Sequence, residues 1–246
     1  MKGLVTLLAF PLVFAACSSH QPVATPGQYA CAFDKTITKN VKCNYLLYLP
    51  GAYGTRTTQE WPLMVFLHGS GERGGSIDKV KKQGPPKLIA EGRQYPYIVL
   101  SPQCPSGEWW SADLLMPLID EIIATYRVDT NRIYLTGLSM GGFGAWRLAG
   151  EYPWKWAAVV PICGGGNPND AWRMRRLPFW VFHGAQDNVV PIAESQTMVD
   201  ALKKRGADVQ FTIYPDAKHD AWTATYTNDA LYAWLDEHRT AGGKSR

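Results

Sequence analysis

The chain is expected to fold as a single α/β domain with a mostly parallel sheet covered by helices on both faces. Three observations predict it. Its 246 residues suit one large domain and are few for two. Short runs rich in branched and aromatic residues alternate with longer amphipathic segments, the pattern of successive strand–helix units. Hydrophobic residues make up 46% and charged residues 19%, which excludes a disordered or membrane-embedded chain.

Strands are expected at Tyr45–Leu49, Leu63–Leu67, Tyr97–Leu100, Arg132–Thr136, Ala157–Pro161, Phe179–Phe182 and Val209–Tyr214. Helices are expected at Leu114–Tyr126, Gly141–Glu151, Ala193–Arg205 and Ala221–His238. Between Ile77 and Gly92 the pattern is helical at its ends, with Gly84-Pro85-Pro86 as a break. From Cys163 to Leu177 there is room only for a Gly-Asn-Pro loop and a short basic turn, so no bulky lid is expected there.

The first 17 residues read as a targeting signal. Lys2 supplies a positive start, and Leu4 to Phe14 is apolar but too short for a mature membrane span. Small residues before Cys17 resemble a bacterial lipobox, which implies lipidation of Cys17 and export to a bacterial membrane (periplasm or cell surface). Phe14 stands where that motif prefers leucine, so an ordinary cut near Ala16 is the alternative. Ser18 to Gln28 is polar and proline-bearing, a tether. Residues 29–240 are then the folded domain and 241–246 a flexible tail.

The net charge of +4 is small. The basic clusters at Lys79–Lys82 and Arg173–Arg176 lack interleaved aromatics, so no nucleic-acid partner is expected. Four cysteines follow Cys17. Export permits disulfides, with Cys31 and Cys43 as the expected pair, while Cys104 and Cys163 either pair or stay as small buried hydrophobes. None has metal-ligand spacing with a histidine, and no cofactor is expected.

Gly137-Leu138-Ser139-Met140-Gly141 follows one expected strand and opens one expected helix. A serine on such a sharp turn is held at a backbone cost of about 1–3 kcal/mol, with its hydroxyl raised above the sheet. Serine-based acyl transfer also needs a base, a group that orients it, and donors for the oxyanion. Asp187 lies on the loop after Phe179–Phe182, and His219 on the loop after Val209–Tyr214. That order of Ser, Asp and His is the one used by α/β-hydrolases. Asp216 and Asp220 flank the histidine, but sequence neighbours seldom reach its far nitrogen. The expected oxyanion donors are backbone N–H groups of Met140 and of Ser70 (or Gly71) in the loop His68–Gly75. His68 and His183 are expected to order their loops. Gln103, Trp110 and Trp222 are candidate substrate contacts, with Trp109 and Trp172 on the same rim.

The chain resembles the α/β-hydrolase carboxylesterases of the predicted-peptidase, polyhydroxybutyrate-depolymerase and feruloyl-esterase type. The resemblance rests on Leu67–Gly74, Ser101–Pro105, Arg132–Gly142, Pro161–Gly165, Phe182–Gly184 with Asp187, and Tyr214–Trp222. It runs from about Tyr45 to Trp234. It implies a metal-independent serine esterase with Ser139, Asp187 and His219 on the triad positions. Its substrate would be a small or polysaccharide-linked ester, with acetyl and feruloyl groups the leading candidates. A serine peptidase of prolyl-oligopeptidase type and a non-catalytic binding protein remain as alternatives.

Overall fold

The computed structural model describes residues 33–240. Signal, tether, Cys17, Cys31 and the tail therefore lie outside the described residues. Residues 33–39 form no helix or strand, and a separate compact unit begins at Asn40.

Seven strands form one sheet. They are β1 (Tyr45–Tyr48), β2 (Trp61–Leu67), β3 (Ile98–Pro102), β4 (Val128–Leu138), β5 (Ala158–Ile162), β6 (Phe179–Gly184) and β7 (Val209–Tyr214). Their spatial order is β1-β3-β2-β4-β5-β6-β7. All neighbours are parallel except β1 and β3, so the edge strand β1 alone runs the other way. This is the α/β-hydrolase arrangement, a doubly wound sheet.

The helices are α1 (Gly84–Ala90), α2 (Ala112–Thr125), α3 (Met140–Glu151), α4 (Ala171–Met174), α5 (Ile192–Lys203), α6 (Ala221–Thr227) and α7 (Asp229–Asp236). Because side chains alternate along a strand, each buried strand feeds two core layers. In β2, Leu63, Val65 and Leu67 join the layer under α2 to α5, while Met64 and Phe66 join the layer under α1, α6 and α7. Every residue of β2, β3 and β5 is buried, which is why these segments read as apolar runs, interrupted only by Ser101 in β3.

Two expected elements differ. Gly84-Pro85-Pro86 starts α1 rather than breaking a helix, because proline at the first helical positions gives up only an N–H that has no partner. Gly84 has φ +66°, and a Cβ there would stand 2.6 Å from the Phe66 ring. The expected last helix is two helices. Asn228 leaves the helical region, and its side chain accepts the Ala230 N–H to cap α7. Between β5 and β6 lie only a 3₁₀ turn at Pro168–Asp170 and the four-residue α4, so no cap domain stands there.

Candidate active site

The chain steps outward from β2 to β3, then returns to place β4 on the other flank of β2. Such a reversal opens a crevice at the carboxyl ends of the strands, where ligands bind in open α/β sheets. The loop after β2 and the turn after β4 meet at this point.

Ser139 occupies that turn with φ 52° and ψ −119°, a conformation L residues rarely adopt. Its amide donates to the Ile162 carbonyl at 2.9 Å, which pins the turn to the end of β5. The flanking glycines are required by space. A Cβ on Gly141 would lie 1.9 Å from the Leu67 carbonyl oxygen, and one on Gly137 would lie 2.3 Å from the Gly141 oxygen.

His219 Nε2 stands 2.9 Å from Ser139 Oγ, and its Nδ1 stands 2.6 Å from Asp187 Oδ2. Asp187 Oδ1 accepts the Val189 and Val190 amides, each at 2.9 Å. Burial pushes the Asp187 carboxyl up, but the His219 hydrogen bond and these two amides outweigh it and hold it below its ordinary range. The carboxylate therefore stays charged and keeps Nδ1 protonated, leaving Nε2 free to take the serine proton. Asp216 and Asp220 make no such contact with His219.

Ser70 opens a 3₁₀ turn, Ser70–Glu72, and Met140 opens α3. The first N–H groups of a helical turn have no intrahelical partner. The loop that carries Ser70 packs directly on the nucleophile, since a Cβ on Gly69 would lie 3.6 Å from Ser139 Cβ. These are suitable donors for a developing oxyanion.

The other expected site residues divide. Gln103 is buried, and its Nε2 donates to the carbonyls of Glu72, Gly74 and Ser76 at 3.0, 2.9 and 2.8 Å. These three bonds tie its Nε2 to the loop and shape it. Trp110 is also buried; it packs edge-on against His68 and donates to the His68 carbonyl at 3.1 Å. Both side chains are buried, and their N–H groups are committed within the loop. Trp222 keeps its place at the site, edge-on to His219 with ring centroids 5.1 Å apart and Nε1 on Gln83 Oε1. Trp109 is 60% exposed and meets Phe143 edge-on at 6.3 Å, one helical turn beyond the nucleophile.

His68 orders its loop by donating Nδ1–H to the Gly69 carbonyl at 2.6 Å and accepting the Cys104 amide on Nε2 at 3.0 Å. Burial lowers its pKa to about 4, so the ring is neutral. His183 does more than order a loop. It is buried, with Nδ1 at 2.8 Å from Ser195 Oγ, Nε2 at 2.9 Å from the Val190 carbonyl, and Nε2 at 3.3 Å from Asp187 Oδ2. Cys163, with φ 48°, is buried beside the same carboxylate. Ligand atoms of Cys163, His183 and Asp187 lie within 4.8 Å of one another, the one such group of metal-ligating atoms among the described residues. Both nitrogens of His183 and both oxygens of Asp187 are already engaged in hydrogen bonds. The support around Asp187 could not be read from sequence, since its parts come from the turn after β5, from β6 and from α5.

Residues 115–238 match the Dienelactone hydrolase family, just over half of the chain. The chain belongs to this family. It is similar to a thermostable esterase of known structure, with 33% identity, a TM-score of 0.71, and coverage of 82% of this chain and 60% of that one. A bifunctional acetylxylan esterase/xylanase, XynS20E of Neocallimastix patriciarum, is 30% identical over 118 residues, 48% of this chain and 17% of the relative. Poly(3-hydroxyalkanoate) depolymerase C of Paucimonas lemoignei is 28% identical over 121 residues, 42% of this chain and 28% of the relative. The chain thus spans under a third of the length of these two curated relatives.

A hydroxyl needs a base within hydrogen-bond reach to act as a nucleophile, and His219 Nε2 stands in that relation to Ser139 Oγ.

Proposed function

We propose that this dienelactone hydrolase family member is a serine carboxylesterase that works through an acyl-enzyme on Ser139. The hydrogen-bonded series from Ser139 through His219 to Asp187 carries this reading. Ser139 Oγ attacks the ester carbonyl as its proton passes to His219 Nε2. The Ser70 and Met140 amides receive the developing oxyanion. His219 returns the proton to the leaving alcohol, and water repeats the sequence to release the acid. Asp187 holds the imidazole and stabilises its charge.

The proposed substrates are acetyl or feruloyl-type esters, including those attached to glycans. Trp109, Phe143 and Trp222 support this by offering aromatic faces and edges beside the reacting serine. The acetylxylan esterase among the relatives points the same way. Export and lipidation at Cys17 complete the proposal, and would place the enzyme where such polymers are met.

A fluorophosphonate probe tests the nucleophile: the native chain labels and Ser139→Ala does not. Equal labelling of the variant would refute the mechanism. A panel of acetyl, feruloyl and long-chain esters, with matched peptide amides, then tests substrate. Turnover of amides at the rate of esters would overturn the esterase reading in favour of a peptidase.

A further inference from the structure

Among the described residues Cys43, Cys104 and Cys163 are free thiols. The expected Cys104–Cys163 alternative fails on topology, because Cys104 packs in the core layer on one face of the sheet and Cys163 in the layer on the other. A different pair is brought together. The β1–β3 ladder sets Tyr45 opposite Pro102, and the Gln103 amide donates to the Asn44 carbonyl at 2.8 Å. That bond makes Tyr45/Pro102 a non-hydrogen-bonded pair, and the same alternation two residues on sets Cys43 opposite Cys104.

The groups of Cys104 agree with this placement. Its N–H goes to His68 Nε2 and its carbonyl accepts the Gly74 amide at 2.8 Å, both on the β2 side, as expected of a residue continuing β3. Cys43 and Cys104 belong to the same core layer as Leu47 and Leu100, the cross-strand pair four residues along the ladder on the same face. The two cysteines also line one small cavity of about 170 Å³. Facing residues at such positions have Cβ atoms about 4.5–5.5 Å apart. A disulfide needs about 3.5–4.5 Å between Cβ atoms, which a slight approach of the edge strand provides, with χ1 rotation turning the two sulfurs toward each other.

We infer that Cys43 and Cys104 are the disulfide-forming pair of this domain. Cys43 is half-buried and reachable, whereas Cys104 is fully buried. With glutathione disulfide as oxidant, the Cys43 thiolate attacks one of its sulfurs and expels a glutathione thiolate. The Cys104 thiolate then attacks the Cys43 sulfur of the mixed disulfide and expels the second. Two protein thiols lose two electrons and two protons, and glutathione disulfide becomes two glutathione molecules. The bond would clasp β1 to the residue that anchors both His68 and Gly74, and so hold both ends of the loop carrying Ser70.

Trypsin separates the candidates. Cys43 falls in peptide Cys43–Arg56, Cys104 in Gln94–Arg127, Cys163 in Trp156–Arg173, and Cys17 with Cys31 in Gly3–Lys35. The full chain is equilibrated with excess glutathione disulfide, free thiols are alkylated under denaturing conditions, and the digest is read by mass spectrometry. The expected product joins Cys43–Arg56 to Gln94–Arg127, is lost on reduction, persists in Cys31→Ala and is absent from Cys43→Ser. A Cys43 peptide joined to Gly3–Lys35, or Cys43 and Cys104 both alkylated in the oxidised sample, would overturn the assignment.

Discussion

His183 Nε2 stands 3.3 Å from Asp187 Oδ2, the same oxygen that takes His219 Nδ1 at 2.6 Å. Asp187 is therefore held between two histidines, one facing the solvent side and one inside the fold. Ser195 completes the inner arm, with its hydroxyl 2.8 Å from both His183 Nδ1 and the Gly164 carbonyl.

Replacing His183 with Gln should lower kcat while leaving KM near its native value. A hydrogen bond to a charged group contributes about 1.5–3 kcal/mol. If that falls on the transition state, the loss is about tenfold to a hundredfold. Asp187→Asn should cost more, about 10⁴-fold, because the imidazole then adopts the wrong tautomer. Steady-state kinetics on one ester across the two variants checks the ranking. A His183→Gln enzyme as slow as Asp187→Asn would contradict it.

Two glycines at the site, one in the elbow and one in the loop after β2, face opposite demands. Gly141→Ala drives a Cβ to within 1.9 Å of the Leu67 carbonyl oxygen, where backbone cannot retreat cheaply. A loss of more than about 3 kcal/mol in urea unfolding is expected, or failure to accumulate in soluble form. Gly71→Ala meets nothing within 4 Å, so its stability should stay within about 0.5 kcal/mol of native.

Acid stability should carry the mark of His68. Its pKa in the fold is about 4 against an ordinary 6.5, so folding favours the neutral ring. The stabilisation is complete above pH 6.5 and is lost as pH falls toward 4, where the unfolded chain takes up a proton the fold refuses. The loss amounts to as much as about 3 kcal/mol. His183, also lowered by burial, acts in the same direction. Asp187 contributes only below this window, since its folded value lies under 3.8. His68→Gln should start less stable but lose less between pH 6.5 and 4, as read from urea midpoints at each pH. A variant with an unchanged slope would place the acid sensitivity elsewhere.

Trp109 offers a test of the proposed aromatic contact. Trp109→Ala should raise KM for a feruloyl ester about fivefold, the loss of about 1 kcal/mol of ring contact, and leave kcat for a small acetyl ester unchanged. Because the side chain is 60% exposed, stability should hardly move. Equal effects on both esters would remove Trp109 from the acyl-binding surface.

The strands, their parallel arrangement, and the order of Ser139, Asp187 and His219 were legible in the chain itself. Buried strands must be apolar throughout, and a nucleophile on a sharp turn needs glycines beside it, so both leave local patterns. Helix boundaries were less legible where one residue decides. Pro85 and Pro86 read as a break but begin α1, and Asn228 divides what reads as one helix. What tertiary structure alone decided were relationships between distant segments. Trp110 and Gln103 read as rim residues but are buried, because their polar groups satisfy carbonyls of a loop that β2 brings to them. Cys104 faces Cys43 because the antiparallel edge sets that register, and Cys163 lies on the opposite face of the sheet. The inner support of Asp187 comes from three separate elements. Sequence records the demands each residue makes on its neighbours, whereas partners across the sheet are chosen only when the strands take their order.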